Sequence, residues 1–300
     1  MRIAGHTMGT PDMSMAEAFT LFRSAGLEAA EVVWQDGYRC GIPASGDSRR
    51  VDESARLQRE LGVQIICLTP YMSGINSLDG QEREEAIQAF QKCIGDAKSL
   101  GCGLIRVYAG SYLQGEEHLR QQKWTLLVES LRFLGPAAEA AGVTLCIENH
   151  FNTMASSARE TAALLEEVDS KGVGALYDQA NLDFAHQEPF EEALPLLQRW
   201  IRHVQVKDFI FTDADAPFEA AAVETVDKST RAVQSRVVGE GVMDWRAILG
   251  ALHASGYDGY LSLEYEYRWH PQDLPPPDVG IPRSADSVRS LLAEITEEAT

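Results

Sequence analysis

Short apolar runs alternate with longer amphipathic segments along the whole chain of 300 residues. The apolar runs are rich in aliphatic residues and predict eight strands, and each is followed by a segment with helical spacing of its apolar positions. The predicted strands span residues 2–6, 30–34, 63–68, 104–108, 143–148, 173–178, 203–207 and 260–264. Strands that alternate with helices indicate an α/β protein with a parallel sheet, and eight of them favour a closed (β/α)8 barrel in a single domain over residues 1–300.

The predicted helices have clear starts and stops. They span residues 15–25, 48–61, 81–100, 118–141, 189–200, 244–255 and 285–295, with one more that begins at Ser157. Ser157 and Glu160 have the spacing of a capping box at that helix start. Two segments, at about 208–238 and 268–283, are too long for ordinary connections and predict enlarged loops. Such loops after barrel strands belong to the rim of an active site or to a partner surface, although a plain insertion is an equal alternative.

Composition narrows the classes of function. The chain has 26 basic and 45 acidic residues, a net charge of −19, which disfavours a nucleic-acid partner. No apolar run approaches the roughly 20 residues of a membrane helix, and the first residues do not have the pattern of a signal peptide. Five cysteines without a C-x-x-C pair predict buried, reduced thiols. We therefore expect a cytoplasmic protein without a membrane partner.

Acidic side chains end three of the predicted strands. Glu148, Asp178 and Glu264 each follow apolar neighbours, and the carboxyl ends of parallel barrel strands meet at one face. Three carboxylates in one place repel each other unless a cation or shared protons intervene. Oxygen ligands suit Mn²⁺ or Mg²⁺, with Co²⁺ or Zn²⁺ as alternatives. The strand ends therefore predict a site for one divalent metal ion.

Five motifs, in their order and spacing, resemble one known family. They are CIENH at 146–150, YDQAN at 177–181, HVQVKD at 203–208, GEGVMDW at 239–245 and GYLSLE at 259–264. With them the chain resembles the xylose-isomerase-like TIM-barrel superfamily, also called the sugar phosphate isomerase/epimerase family, from the first strand to the last helix. The resemblance implies a divalent metal held by Glu148, Asp178, Gln205 and Glu264.

The chain departs from the family pattern in three respects. Many members have histidine where this chain has Gln205, although some, including hydroxypyruvate isomerases, also have glutamine. An amide oxygen in place of a softer nitrogen favours Mn²⁺ as the metal. Epimerases often have histidine where this chain has Asn181, and the arginine that commonly follows their seventh strand is absent. The usual sugar-epimerase contacts are therefore not all present.

The resemblance implies a metal-dependent isomerase or epimerase of a sugar or keto sugar. Such an enzyme removes a proton next to a carbonyl through an enediolate that the metal stabilises. Glu148 and Glu264 inherit the role of the acid/base pair. His150 lies on the same strand face as Glu148 and is an alternative base, because the ordinary pKa of histidine lies near neutrality.

Further polar and aromatic residues are predicted around this site. His6, Tyr108, Lys207 and Trp269 are candidates for binding the substrate. Lys207 either contacts an oxyanion or pairs with Asp208. His203 lies deeper in the barrel, where it would orient a metal ligand.

Three alternatives remain beside the isomerase. A lyase has the same first step but expels a β-substituent, as in the catalytic subunits that cleave C-glycosides after oxidation at C3. The two long loops would fit its larger substrate or its small partner subunit, and a homo-oligomer is equally open. A zinc-dependent AP endonuclease needs many histidines, and this chain has seven in all with a charge of −19. A non-catalytic sugar-binding barrel would have no need of the intact carboxylates.

Overall fold

Eight parallel strands close into a barrel. The computed structural model describes residues 1–185, 188–213 and 232–298. The barrel strands are β1 (Arg2–His6), β2 (Ala29–Val33), β3 (Gln64–Thr69), β4 (Leu104–Tyr108), β5 (Thr144–Glu148), β6 (Val173–Tyr177), β7 (Ile201–Val206) and β10 (Tyr260–Leu263). Strand β10 pairs with both β1 and β7 and so closes the ring. The structure confirms the predicted (β/α)8 barrel.

Helices cover the outside of the barrel. They are α1 (Met15–Ser24), α2 (Ser48–Leu61), α3 (Gly80–Leu100), α4 (Arg120–Ala141), α5 (Ala158–Val168), α6 (Gln179–Phe184), α7 (Phe190–Leu197), α8 (Trp245–Ala254) and α9 (Pro277–Glu298). Three of them end at a glycine in the left-handed conformation, which glycine adopts most readily: Gly62, Gly101 and Gly142. Single 3-10 turns lie at Thr7–Gly9, Gly74–Asn76 and Glu117–Leu119.

The two predicted long loops differ from expectation. The segment 208–238 begins and ends as an antiparallel hairpin of β8 (Asp208–Phe211) and β9 (Val233–Arg236), and its residues 214–231 lie outside the described part of the chain. The segment 268–283 is shorter than predicted, because α9 already begins at Pro277.

The predicted capping box is only half formed. The hydroxyl of Ser157 accepts a hydrogen bond from the backbone N–H of Glu160 at 3.1 Å, as predicted. The Glu160 carboxylate, however, accepts from the backbone and hydroxyl of Ser156, at 3.1 and 2.6 Å. The neighbouring serine therefore takes the reciprocal bond.

The buried side chains are distributed as expected for a (β/α)8 barrel. Apolar side chains of the helices pack against the outer face of the barrel, among them Phe19, Phe22, Phe90, Leu131 and Leu164. The five cysteines are free and buried, as predicted. Within the described residues, every helix is too short or too polar to cross a membrane.

Strand register brings the predicted ligands to one rim. Glu148 ends β5, and Asp178 directly follows β6. Gln205 on β7 lies opposite Ser262 of β10. Glu264 follows β10, and its backbone N–H donates to the carbonyl of Val206 at 3.0 Å. The four residues thus lie at the carboxyl ends of four neighbouring strands.

Candidate metal centre and active site

Three carboxylates meet at the carboxyl end of the barrel. Glu148, Asp178 and Glu264 each present an oxygen, and these oxygens all lie within 4.8 Å of one another. Glu148 and Asp178 are fully buried, and Glu264 is 6% exposed. Buried like charges at this distance need compensation by cations or protons.

Two basic side chains compensate this cluster in part. The Lys207 ammonium lies 2.9 Å from Asp178 Oδ2 and 2.7 Å from Glu264 Oε2. The Nε–H of Arg106 donates to Glu148 Oε2 at 2.5 Å. Three ionised carboxylates beside two cations would leave one negative charge in excess.

The pKa values of the carboxyls differ accordingly. Burial raises the pKa of Asp178 to about 8; Lys207 opposes this rise, and the Glu264 and Glu148 carboxylates add to it. Burial also acts to raise the pKa of Glu264, but the Lys207 ammonium outweighs it and holds that pKa below its usual value. Asp178 therefore retains a proton near neutral pH, and the cluster can accept further positive charge.

The donor set fits a divalent cation. The amide oxygen Oε1 of Gln205 is buried and has no hydrogen-bond partner among the described residues. Together with the three carboxylates it offers four oxygen donors of the kind that Mg²⁺ and Mn²⁺ prefer. Because a cation could also replace the proton that Asp178 retains, the residues at this rim suit a divalent metal both in ligand type and in charge.

Sequence reasoning missed Arg106. This residue is 1% exposed in the middle of β4, donates to Glu148 and to the carbonyl of Pro70 at 2.9 Å, and stacks on the ring of Tyr108 at 3.4 Å. A charged residue inside an apolar strand is rarely buried without a partner. The arginine within the apolar sequence LIRVY of β4 therefore indicates a buried ion pair. Its partner, Glu148, lies 42 residues further along the chain and cannot be identified from this local pattern.

Two asparagines fix the orientation of the carboxylates and were not predicted as site residues. Asn181 Nδ2 donates to Glu148 Oε1 at 3.0 Å. The Asp178 carboxylate accepts from the backbone N–H of Asn181 at 3.0 Å and so caps helix α6, which was also not predicted. Asn149 bonds the backbone N–H and C=O of Asp178 at 3.0 and 2.6 Å.

His150 lies beyond the end of β5 with a defined tautomer. Its Nδ1 is 2.7 Å from the carbonyl of Phe151, which can only accept a hydrogen bond. Nδ1 therefore carries the proton, and Nε2 has a free lone pair. Burial lowers the pKa of His150. The Glu148 carboxylate opposes this effect and the charges of Arg106 and Lys207 add to it, so the imidazole is neutral at pH 7.

The remaining predicted residues lie at different depths in the barrel. His6 and His203 are fully buried and lie beside Glu31, below the carboxylates.

Within the described chain, the Lys207 ammonium pairs with the carboxylate cluster. The pairing with Asp208 was wrong, because the Asp208 carboxylate accepts backbone N–H groups instead, those of Phe209, Gly239, Gly241 and Met243.

Aromatic side chains form one wall above the cluster. Tyr108 and Trp269 are both half-buried, and Tyr71 lies between them with ring centroids 6.3 Å from each. The indole N–H of Trp269 and the hydroxyl of Tyr71 point to the sulfur of Met8, at 3.0 and 2.9 Å. This wall is apolar and stands next to charged groups, as in many small-molecule sites.

Comparison with known proteins gives sequence relatives and solved structures of similar fold. Inosose dehydratase of Geobacillus thermodenitrificans (strain NG80-2) is 28% identical over 193 residues, which cover 61% of this chain and 64% of that protein. The match thus spans less than two thirds of that relative. L-ribulose 3-epimerase has a TM-score of 0.77 at 19% identity, with 99% of this chain and 96% of that one covered. The IOLI protein with a zinc atom has a TM-score of 0.76 at 16% identity, with 99% of both chains covered.

The solved structures, at these identities, establish the likeness of fold. The family is established separately, because the model described as "Xylose isomerase-like TIM barrel" matches residues 19–291 of the chain. The chain therefore belongs to the xylose isomerase-like TIM-barrel family.

Proposed function

We propose that this protein is a divalent-metal-dependent lyase that acts on a keto sugar. It removes a proton next to the carbonyl and expels a substituent from the β-carbon. The observation that carries the proposal is the convergence of Glu148, Asp178 and Glu264 beside a neutral imidazole, that of His150. The similarity to inosose dehydratases favours elimination over the isomerase reaction expected from the sequence.

The cation would be held by Glu148, Asp178, Gln205 and Glu264. When bound, it supplies Lewis-acid polarisation of the substrate carbonyl and makes the neighbouring C–H more acidic. We favour Mn²⁺ because all four donors are oxygens, and Mg²⁺, Co²⁺ and Zn²⁺ are the alternatives.

His150 is the base in this proposal. Both oxygens of Glu148 already accept hydrogen bonds, from Arg106 and Asn181, and Glu264 is bonded to Lys207. The Nε2 lone pair of His150 is an open proton acceptor at this rim, because the proton of the imidazole lies on Nδ1. Burial lowers the pKa of His150 from its ordinary value of about 6.5, so the imidazole is neutral at pH 7 and can accept a proton as a general base.

The bonds change as in any β-elimination. His150 takes the proton, the electrons of the C–H bond form a carbon–carbon double bond, and the bond to the β-substituent breaks with its electron pair. The imidazolium then returns its proton to the leaving oxygen.

Lys207 stays charged because the neighbouring carboxylates raise its pKa against the effect of burial, and it keeps Asp178 and Glu264 in place. The half-buried faces of Tyr108 and Trp269 would contact the sugar or its substituent.

An epimerase shares the first step but returns the proton to carbon. The two reactions are separated by incubating the Mn²⁺-loaded protein in D₂O with a 3-keto glycoside whose phenolic aglycone absorbs light on release. We expect release of the aglycone. Deuterium uptake into the unbroken glycoside without release would identify an epimerase, and neither event would reject proton abstraction from this substrate class.

A pair of histidine variants tests the base. His150→Asn should slow release of the aglycone about 100- to 10,000-fold while Mn²⁺ binding stays unchanged. His118→Asn is the matched control, because His118 is exposed on the Glu117–Leu119 turn. Full activity of His150→Asn would rule out His150 as the base but leave the metal centre in place.

A further inference from the structure

A second buried polar group lies one layer deeper in the barrel than the carboxylate cluster. Its centre is Glu31 on β2, which is fully buried. Glu31 Oε1 accepts from the Thr69 hydroxyl at 2.5 Å and from Gln205 Nε2 at 3.0 Å. Glu31 Oε2 lies 2.9 Å from His203 Nε2, and His6 Nε2 lies 3.4 Å from Oε1. We refer to these five residues as the Glu31 network.

The Glu31 network determines which way the Gln205 amide faces. The nitrogen and oxygen of an amide lie on opposite sides of one carbon, so a nitrogen bonded to Glu31 turns the oxygen away from it. That oxygen is buried and has no hydrogen-bond partner in the described ranges. Strand register places Gln205 between the two strands that lead into Asp178 and Glu264.

A metal ion within the Glu31 network is a weaker explanation. Ligand atoms of Glu31, Cys67 and His203 do lie within 4.8 Å of one another. The Cys67 thiol, however, already donates a hydrogen bond to the carbonyl of Leu68, at 3.6 Å. The 2.9 Å between Glu31 and His203 is also an ordinary hydrogen-bond length.

We propose that Glu31 is a positioning residue that holds the Gln205 amide with its oxygen presented to the cation bound by the three carboxylates. This inference rests on the metal centre of the proposed function. Without Glu31, the amide is free to rotate and to present its NH₂ group, which cannot bind a cation. Changes to groups that orient a metal ligand typically weaken metal affinity about 10- to 100-fold.

The test measures Mn²⁺ affinity through the electron paramagnetic resonance signal of the free ion. Glu31→Met keeps the length of the side chain but removes both acceptor oxygens. It should raise the dissociation constant about 10- to 100-fold. Thr69→Val is the matched control, because it removes the other hydrogen bond to Glu31 Oε1 without touching Gln205. It should leave the dissociation constant for Mn²⁺ close to that of the wild type.

A double-mutant cycle distinguishes positioning from general support of the barrel. Gln205→Ala alone should weaken Mn²⁺ binding as much as Glu31→Met does. Adding Glu31→Met to Gln205→Ala should then change nothing, because a residue that acts through Gln205 has no effect once Gln205 is gone. Additive losses in the double variant would overturn the proposal.

The other outcomes are equally decisive. Wild-type affinity in a folded Glu31→Met variant overturns the positioning role and leaves the metal centre intact. If Glu31→Met does not fold, Glu31→Leu takes its place in the same cycle, because it too removes both acceptor oxygens. Absence of Mn²⁺ binding by the wild-type protein overturns the proposed metal centre and this inference together.

Discussion

Binding of a divalent cation should displace a proton from the carboxylate cluster. The structure indicates this because Asp178 is buried beside Glu148 and Glu264, and its pKa is raised to about 8. A carboxylate must lose its proton to act as a ligand, so metal and proton compete. Metal affinity should therefore fall as the pH is lowered through 8.

The size of the effect follows from that pKa. A group with a pKa of about 8 is about 90% protonated at pH 7 and about 10% at pH 9. Metal binding should then release about 0.9 proton at pH 7 and about 0.1 proton at pH 9. By the same competition, the dissociation constant should rise about 50-fold between pH 8 and pH 6.

Isothermal titration calorimetry gives both quantities when Mn²⁺ is titrated in buffers with different ionisation enthalpies. Lys207→Met is an informative variant, because the Lys207 ammonium lowers the pKa of Asp178. Its removal should move the pH profile to higher pH and increase proton release at pH 8. An affinity that is constant from pH 6 to pH 9, with no proton released at pH 7, would refute the reasoning.

Three further predictions concern other parts of the molecule. His150→Asn should lower kcat by about 100- to 10,000-fold in steady-state kinetics, since a general base is lost; an unchanged kcat would contradict the assignment. Gln205→His should favour Zn²⁺ over Mn²⁺ by at least about tenfold in competition titrations, because a nitrogen ligand replaces an oxygen. In Gly241→Ala the new Cβ would lie 2.0 Å from Asp208 Oδ1, so the free energy of unfolding in urea should fall by about 1–3 kcal/mol. Gly250→Ala is the control for this last variant: its Cβ meets nothing within 4 Å, and alanine inside helix α8 should stabilise by about 0.5–1 kcal/mol.

Local patterns predicted most of the fold. Strands β1 and β4 have the predicted bounds, because apolar runs and flanking turns mark them clearly. Helix α6 was not predicted. Its N-cap residue, Asp178, was interpreted as the end of a strand and as a metal ligand, and not as the start of a helix. The start of α9 was placed too late, because the prolines near Pro277 are typical of a loop.

The sequence by itself determined that acidic residues end neighbouring strands of a parallel barrel. That was enough to predict the meeting of Glu148, Asp178 and Glu264, since the carboxyl ends of such strands always lie at one face. The family resemblance added Gln205, whose amide oxygen the structure leaves without a partner among the described residues.

Only the tertiary structure decided which groups neutralise and orient these residues. Arg106 bonds Glu148 across 42 positions, Lys207 bonds Glu264 across 57, and Glu31 bonds Gln205 across 174. Such pairs depend on how strands are staggered around the closed barrel and on which side chains share a layer inside it. Neither property is encoded in the local alternation of apolar and polar residues, so the ligands were predictable and their partners were not.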